Sequence, residues 1–84
     1  MDIRIVKQAE KQLVRITKKE QERIAEKIRW LAKQENPLLF SKPIKGFEHT
    51  YRFRVGKYRL IFRLENKIIY IVHIDKRDSV YKTF

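Results

Sequence analysis

Three arginines, Arg52, Arg54 and Arg59, stand within one eight-residue stretch in which aromatic or aliphatic residues alternate with basic ones. Alternation is the signature of a strand, whose successive side chains point to opposite faces. Arg52 and Arg54 therefore share a face, opposite Tyr51, Phe53 and Val55. Pairing across a hairpin brings Arg59 beside them. Guanidiniums crowded on one face repel each other, and no acidic residue lies near them in sequence. A bound anion would stabilise them, and their forked donors suit phosphate oxygens. The plain alternative is a solvated strand face, which also carries Arg and Lys outward. Periodicity leaves both readings open.

The other candidates for chemistry are His49 and His73. Histidine is the usual proton-transfer group near neutral pH. His73 sits in an apolar run, which favours a buried, hydrogen-bonded structural role, and His49 falls in a loop before the hairpin. Either remains open as a catalytic residue. No group of His, Asp and Glu has metal-ligand spacing, and the chain has no cysteine. Neither a metal nor another cofactor is expected, and disulfides are excluded.

The elements that must position the arginines follow from periodicity. Ile3-Arg4-Ile5 reads as a short strand. Val6, Ala9, Leu13 and Ile16 recur at helical spacing. Thr17 and Glu20 match a capping box opening a second helix, whose buried stripe is Ile24, Ile28 and Leu31, with Trp30 and Ala32 beside it. Helices joined by so short a turn are expected to pack antiparallel. Asn36-Pro37 ends the second helix, since the residue before proline avoids helical angles. From Thr50 the period becomes two. Gly56-Lys57 makes a hairpin and Glu65-Asn66-Lys67 a second turn. Tyr51, Phe53, Tyr58 and Phe62 are expected in the core. Ile68 to Ile74 is apolar on both faces and reads as the central strand. Ser79-Val80-Tyr81 is expected to return toward the sheet, with Trp30 and Phe84 covering sheet edges or meeting a partner. The expectation is a single α+β domain over residues 1–84: a short strand and a two-helix hairpin on a mainly antiparallel sheet of three to four strands.

The net charge is +11, from 21 Lys and Arg against 10 Asp and Glu. That surplus on a small chain points to a polyanionic partner. A thermophile-type surface rich in Lys and Glu is the bland alternative, but such surfaces are usually balanced in charge. A membrane is disfavoured. No helix combines a basic face with bulky exposed apolar residues, and the longest apolar run is too short to span a bilayer. The first residues carry no apolar run of the signal-peptide kind, so a cytoplasmic location is expected.

The run Tyr51-Arg52-Phe53-Arg54-Val55-Gly56-Lys57-Tyr58-Arg59-Leu60-Ile61-Phe62, followed by Asp75-Lys76-Arg77 and Val80-Tyr81, resembles the RelE/ParE superfamily of type II toxin–antitoxin toxins. The resemblance covers nearly the whole chain, and the hairpin with its glycine turn is its specific part. It implies a ribosome-dependent endoribonuclease of the RelE branch, cutting mRNA in the ribosomal A site through the RNA's own 2′-hydroxyl. Arg52 and Arg54 match the family's two basic residues before the glycine turn, Arg59 its arginine on the next strand, Arg77 its functional arginine after the central strand, and Tyr81 its C-terminal tyrosine. Arg59 would brace the transition state, Arg77 the leaving oxygen, and Arg52 and Arg54 the phosphates. Tyr81 would stack on a base or take the 2′-hydroxyl proton. One departure stands out: well-known members carry lysines where this chain has Arg52 and Arg54, and arginine stays protonated, so Arg54 cannot serve as base. The implied partners are a cognate antitoxin, ribosomal RNA and mRNA, with operator DNA met only through the antitoxin complex. A gyrase poison of the ParE kind and a non-catalytic RNA-binding protein are the alternatives.

Overall fold

Chain order runs from a strand through two helices to a series of strands, and one sheet collects the strands of the described residues into a single layer. The computed structural model describes residues 1–76. Its elements are β1 (Asp2–Ile5), α1 (Lys7–Leu13), α2 (Lys18–Lys33), a 3₁₀ turn (Pro37–Phe40), β2 (Lys42–Pro43), β3 (Thr50–Val55), β4 (Tyr58–Glu65) and β5 (Ile68–Lys76). The sheet order is β1-β5-β4-β3-β2. β1 runs parallel to β5, and every other neighbour is antiparallel. The α+β expectation holds, with two refinements. Lys42–Pro43 adds a two-residue edge strand, bringing the sheet to five strands among the described residues, and proline is tolerated there because an edge strand can spare a donor. β5 lies inside the sheet as expected, but β4 holds the middle position.

The turns follow from local chemistry. Gly56 has φ +56 at the first central position of the β3–β4 hairpin, the place a type II′ turn reserves for glycine. Asn66 and Lys67 both adopt positive φ, at 51 and 61, as a two-residue type I′ connection requires. α1 stops at Leu13, short of the helical periodicity that reaches Ile16. The chain tightens instead: Arg15 N donates to Gln12 O (3.2 Å) and Ile16 N to Leu13 O (3.3 Å), the short-range pattern of a closing turn. Ile16 still packs against the core.

α2 opens as a half-formed capping box. Thr17 Oγ1 accepts from Glu20 N at 3.3 Å, one of the free amides of a helix start. The Glu20 side chain does not complete the box. Its carboxylate turns to Lys57 Nζ, 3.5 Å away, and to the Tyr58 hydroxyl. At the other end of α2 the Met1 ammonium donates to Ala32 O at 2.6 Å, a positive charge where the helix dipole is negative.

The core lies between the helices and one sheet face. It is built from Ala9, Ile24, Ile28, Leu31 and Ala32 on the helices, and Phe53, Val55, Tyr58, Leu60, Phe62, Ile69, Ile71 and Ile74 on the strands. Each fully buried Leu, Ile or Phe contributes roughly 1.5–3 kcal/mol. Tyr51 is half-buried against this cluster rather than within it. Ile69, Ile71 and Ile74 break strict alternation because the β4–β5 register shifts between Ile61 and Phe62: Ile61 pairs with His73, Phe62 with Ile71. Val72 is the extra residue of a bulge, which reverses the faces of β5 beyond it. Among the described residues, no helix is long and apolar enough to cross a membrane.

Candidate nucleic-acid interface

The sheet face away from the helices gathers the basic residues in two rows across the strands. In one row Lys42, Arg52, Ile61 and His73 are successive Cα partners; in the next, Arg54, Arg59 and Asp75. Same-row side chains share a face, since paired residues point the same way. Arg52, Arg54 and Arg59 do come together, as their spacing predicts, and Lys42 joins them. With Leu39, Phe40 and Ser41 these four line a groove of 350 Å³. Arg54 is exposed, while Arg52 and Arg59 are partly buried. Partial burial lowers the effective dielectric and strengthens an ionic contact with any anion that enters.

Asp75 enters the arginine row through strand pairing, although no acidic residue stands near the arginines in sequence. It caps the far end, 3.8 Å from His73 Nε2. His73 is only 5% exposed, and Gln12 Nε2 lies 3.1 Å from its Nδ1. Gln12 Oε1 also accepts from Ile74 N at 2.7 Å. β1 pairs with β5 only as far as Ile71, so the Gln12 amide covers the strand edge beyond it. The buried, hydrogen-bonded role expected for His73 is met, but on the arginine side of the sheet. His49 lies in the loop before β3, exposed, with φ 54. Arg77 and Tyr81, the remaining site residues expected from sequence, lie outside the described residues, as do Ser79-Val80 and Phe84. Trp30 packs across Phe40, with ring centroids 4.9 Å apart, and stacks on Phe53 at 6.4 Å.

A second polar group lies at the hairpin end, on the helix side. Tyr58 faces Glu20, and hydrogen bonding to that carboxylate, reinforced by burial and by the charges of Glu20 and Asp75, pushes its phenol up to about 12. The same hydrogen bond, with help from Lys57 and Arg23, holds the Glu20 carboxyl below its usual range against the opposing effect of burial. Tyr58 is thus a poor proton acceptor at neutral pH. Among the described residues, no cluster of three His, Cys, Asp or Glu side chains could hold a metal ion.

Sequence reasoning missed Lys42, Asp75 and the aromatic and aliphatic lip at Leu39 and Phe40. Lys42-Pro43 carried a usable signal, because a basic residue beside proline is typical of a protected edge strand.

Among the described residues, a two-helix layer packs on a five-stranded mixed sheet with a cationic face opposite the helices. Residues 3–81 match the family of ParE toxins of type II toxin–antitoxin systems. The chain belongs to that family, within the RelE/ParE superfamily. Among solved structures, it is similar to a chain of the RelB–RelE antitoxin–toxin complex of Methanococcus jannaschii, with 26% identity, 96% of this chain and 98% of the other covered, and a TM-score of 0.76. It is similar to a chain of the archaeal RelE–RelB complex of Pyrococcus horikoshii, with 28% identity, coverage of 90% and 93%, and a TM-score of 0.74. A chain of the RelBE2 toxin–antitoxin complex of Mycobacterium tuberculosis shares the fold, with 24% identity, coverage of 90% and 90%, and a TM-score of 0.76. No curated protein matches in sequence.

Proposed function

We propose that this type II toxin is a ribosome-dependent endoribonuclease that cuts mRNA in the ribosomal A site. The observation that supports this reading is the groove in which Lys42, Arg52, Arg54 and Arg59 converge from three adjacent strands. The RNA supplies its own nucleophile. Its 2′-oxygen attacks the neighbouring phosphorus and gives up its proton; the bond from phosphorus to the 5′-oxygen breaks, and that oxygen takes a proton. The products are a 2′,3′-cyclic phosphate and a 5′-hydroxyl. Lys42, Arg52 and Arg54 hold the scissile and flanking phosphates. Arg59, between Arg54 and Asp75 in its row, stabilises the extra negative charge at phosphorus, the contribution that is usually largest. Arg77 neutralises the leaving oxygen, and Tyr81 takes the 2′-hydroxyl proton.

Partners follow from the same reading. A cognate antitoxin covers the basic surface, gaining affinity from opposite charge. Ribosomal RNA binds cationic surface outside the groove, and operator DNA is reached only through the antitoxin complex. The setting is the cytoplasm, where ribosomes are.

The test is primer extension on mRNA in a reconstituted translation reaction. Wild type is expected to cut; the chain carrying Arg59→Ala and Arg77→Ala is not. Cutting by the double variant would remove these residues from the site. The family match to ParE toxins favours a second reading, a gyrase poison. Inhibited supercoiling with no mRNA cuts would establish that instead.

A further inference from the structure

The 3₁₀ turn places two large apolar side chains in solvent beside the cationic groove. Pro37 is buried and Leu38 packs on the core, so the turn directs its next two residues outward. They are Leu39, 76% exposed, and Phe40, 45% exposed. Neither contributes much to core burial at that exposure, and exposed apolar groups next to a charged groove suit an amphipathic ligand. The turn is fixed at both ends. Asn36 Oδ1 accepts from Leu38 N at 3.1 Å, and Ser41 Oγ donates to Pro37 O at 3.3 Å. Trp30 braces the Phe40 ring from α2, and Lys27 Nζ stands 5.6 Å from the Trp30 ring. The lip is therefore preorganised, which lowers the ordering cost of binding.

We propose that Phe40 and Leu39 form a nucleobase-binding lip, so that the groove takes one whole nucleotide: base on the lip, phosphate on Arg52, Arg54 and Arg59. This rests on the RNA reading above and adds residues to it. A nucleotide joins a flat ring with a π-face to an anion, and the groove joins an aromatic and aliphatic rim to a cationic floor. At 350 Å³ it is of the size of a small-molecule site. Stacking on an aromatic side chain depends little on base identity, because every base has a π-face. The lip thus supplies affinity and orients the sugar, with only mild sequence preference.

Trp30 is the chain's single tryptophan and touches Phe40, so its fluorescence reports on the lip. The experiment titrates the antitoxin-free protein at low salt with adenosine 5′-monophosphate and, separately, with ribose 5-phosphate, which lacks only the base. The nucleotide is expected to bind at least about fivefold more tightly, the lower end of base–aromatic stacking. Phe40→Ala is expected to abolish that advantage while leaving ribose 5-phosphate binding unchanged, and Phe40→Trp to keep it; calorimetry repeats the comparison independently of fluorescence. Equal binding of the two ligands to wild type overturns the proposal. So does a Phe40→Ala chain that keeps the nucleotide's advantage yet loses affinity for its antitoxin, since the lip would then serve the protein partner. The assay involves no ribosome and no turnover. Selective nucleotide binding without mRNA cleavage would sustain the lip and overturn the nuclease reading, and cleavage with equal binding would do the reverse.

Discussion

Arg54 and Arg59 are direct Cα partners across the β3–β4 hairpin, two like charges on one face. Like charges directly opposite destabilise a sheet pair by a few tenths to about 1 kcal/mol. The fold accepts this two residues from a hairpin turn, where nothing in strand geometry demands a cation at either position. Arg54→Thr, a good strand former, is expected to raise stability by about 0.5 kcal/mol in low-salt urea unfolding. The gain should shrink toward zero at about 1 M salt, where the Debye length is about 3 Å. Cleavage of ribosome-bound mRNA should fall at the same time. A variant that is both less stable and fully active would mean the pair is not strained and not functional.

Arg59→Ala separates electrostatic from structural roles more sharply. Loss of one preorganised charge-stabilising donor typically costs about 100- to 1,000-fold in turnover, and a fall of that order is expected in single-turnover cleavage. Arg59 lies at the centre of its row, between Arg54 and Asp75. Arg59→Lys keeps the charge but loses the planar fork, so it should recover only part of the rate. Full recovery by lysine would point to a point-charge role.

The alternation of arginines with aromatics was enough to read the cationic face, because period two leaves no choice about which side chains share it. The helix stripe Ile24, Ile28 and Leu31 was legible for the same reason. The rest depended on pairing between distant strands. Lys42 reaches Arg52 only because a two-residue strand adds at the edge, too short for alternation to show and marked only by the lysine beside its proline. Asp75 and His73 join the arginine face because the Val72 bulge resets the register, and a bulge inside an all-apolar run has no signature. The second half of the capping box failed because Glu20 found better partners, Lys57 and Tyr58, on a hairpin remote in sequence. Arg77 and Tyr81 stand on the resemblance alone.

The Glu20–Tyr58 pair gives the protein two pH limits of opposite sign. The Tyr58 phenol is raised from 10.0 to about 12, so its contribution is fully present below pH 10 and is lost as pH rises from 10 toward 12. The Glu20 carboxyl is lowered from 4.5, so its contribution is present above pH 4.5 and is lost as pH falls below that. Tyrosinate absorbance should show a component titrating near pH 12 that Tyr58→Phe removes. Glu20→Gln should bring that component back toward 10 and remove the acid-side loss in urea unfolding. An unchanged tyrosine titration in Glu20→Gln would show that burial alone raises the phenol.

Gln12 ties α1 to the site strand through both ends of one amide. Its oxygen accepts from Ile74 N at 2.7 Å and its nitrogen lies 3.1 Å from His73 Nδ1. Gln12→Ala deletes both contacts in a partly buried place, where losing a partner costs about 1–3 kcal/mol per group. Gln12→Glu keeps the Ile74 bond and replaces the donor facing His73 by an acceptor. Wild type is expected to show the highest urea midpoint. The Gln12→Glu variant is expected to fall between wild type and Gln12→Ala, because it keeps the Ile74 bond and loses only the donor facing His73. Amide exchange at Ile74 should accelerate in Gln12→Ala and stay slow in Gln12→Glu, compared at one pH. Fast exchange in both variants would mean that the helix, not the glutamine side chain, protects this edge of β5.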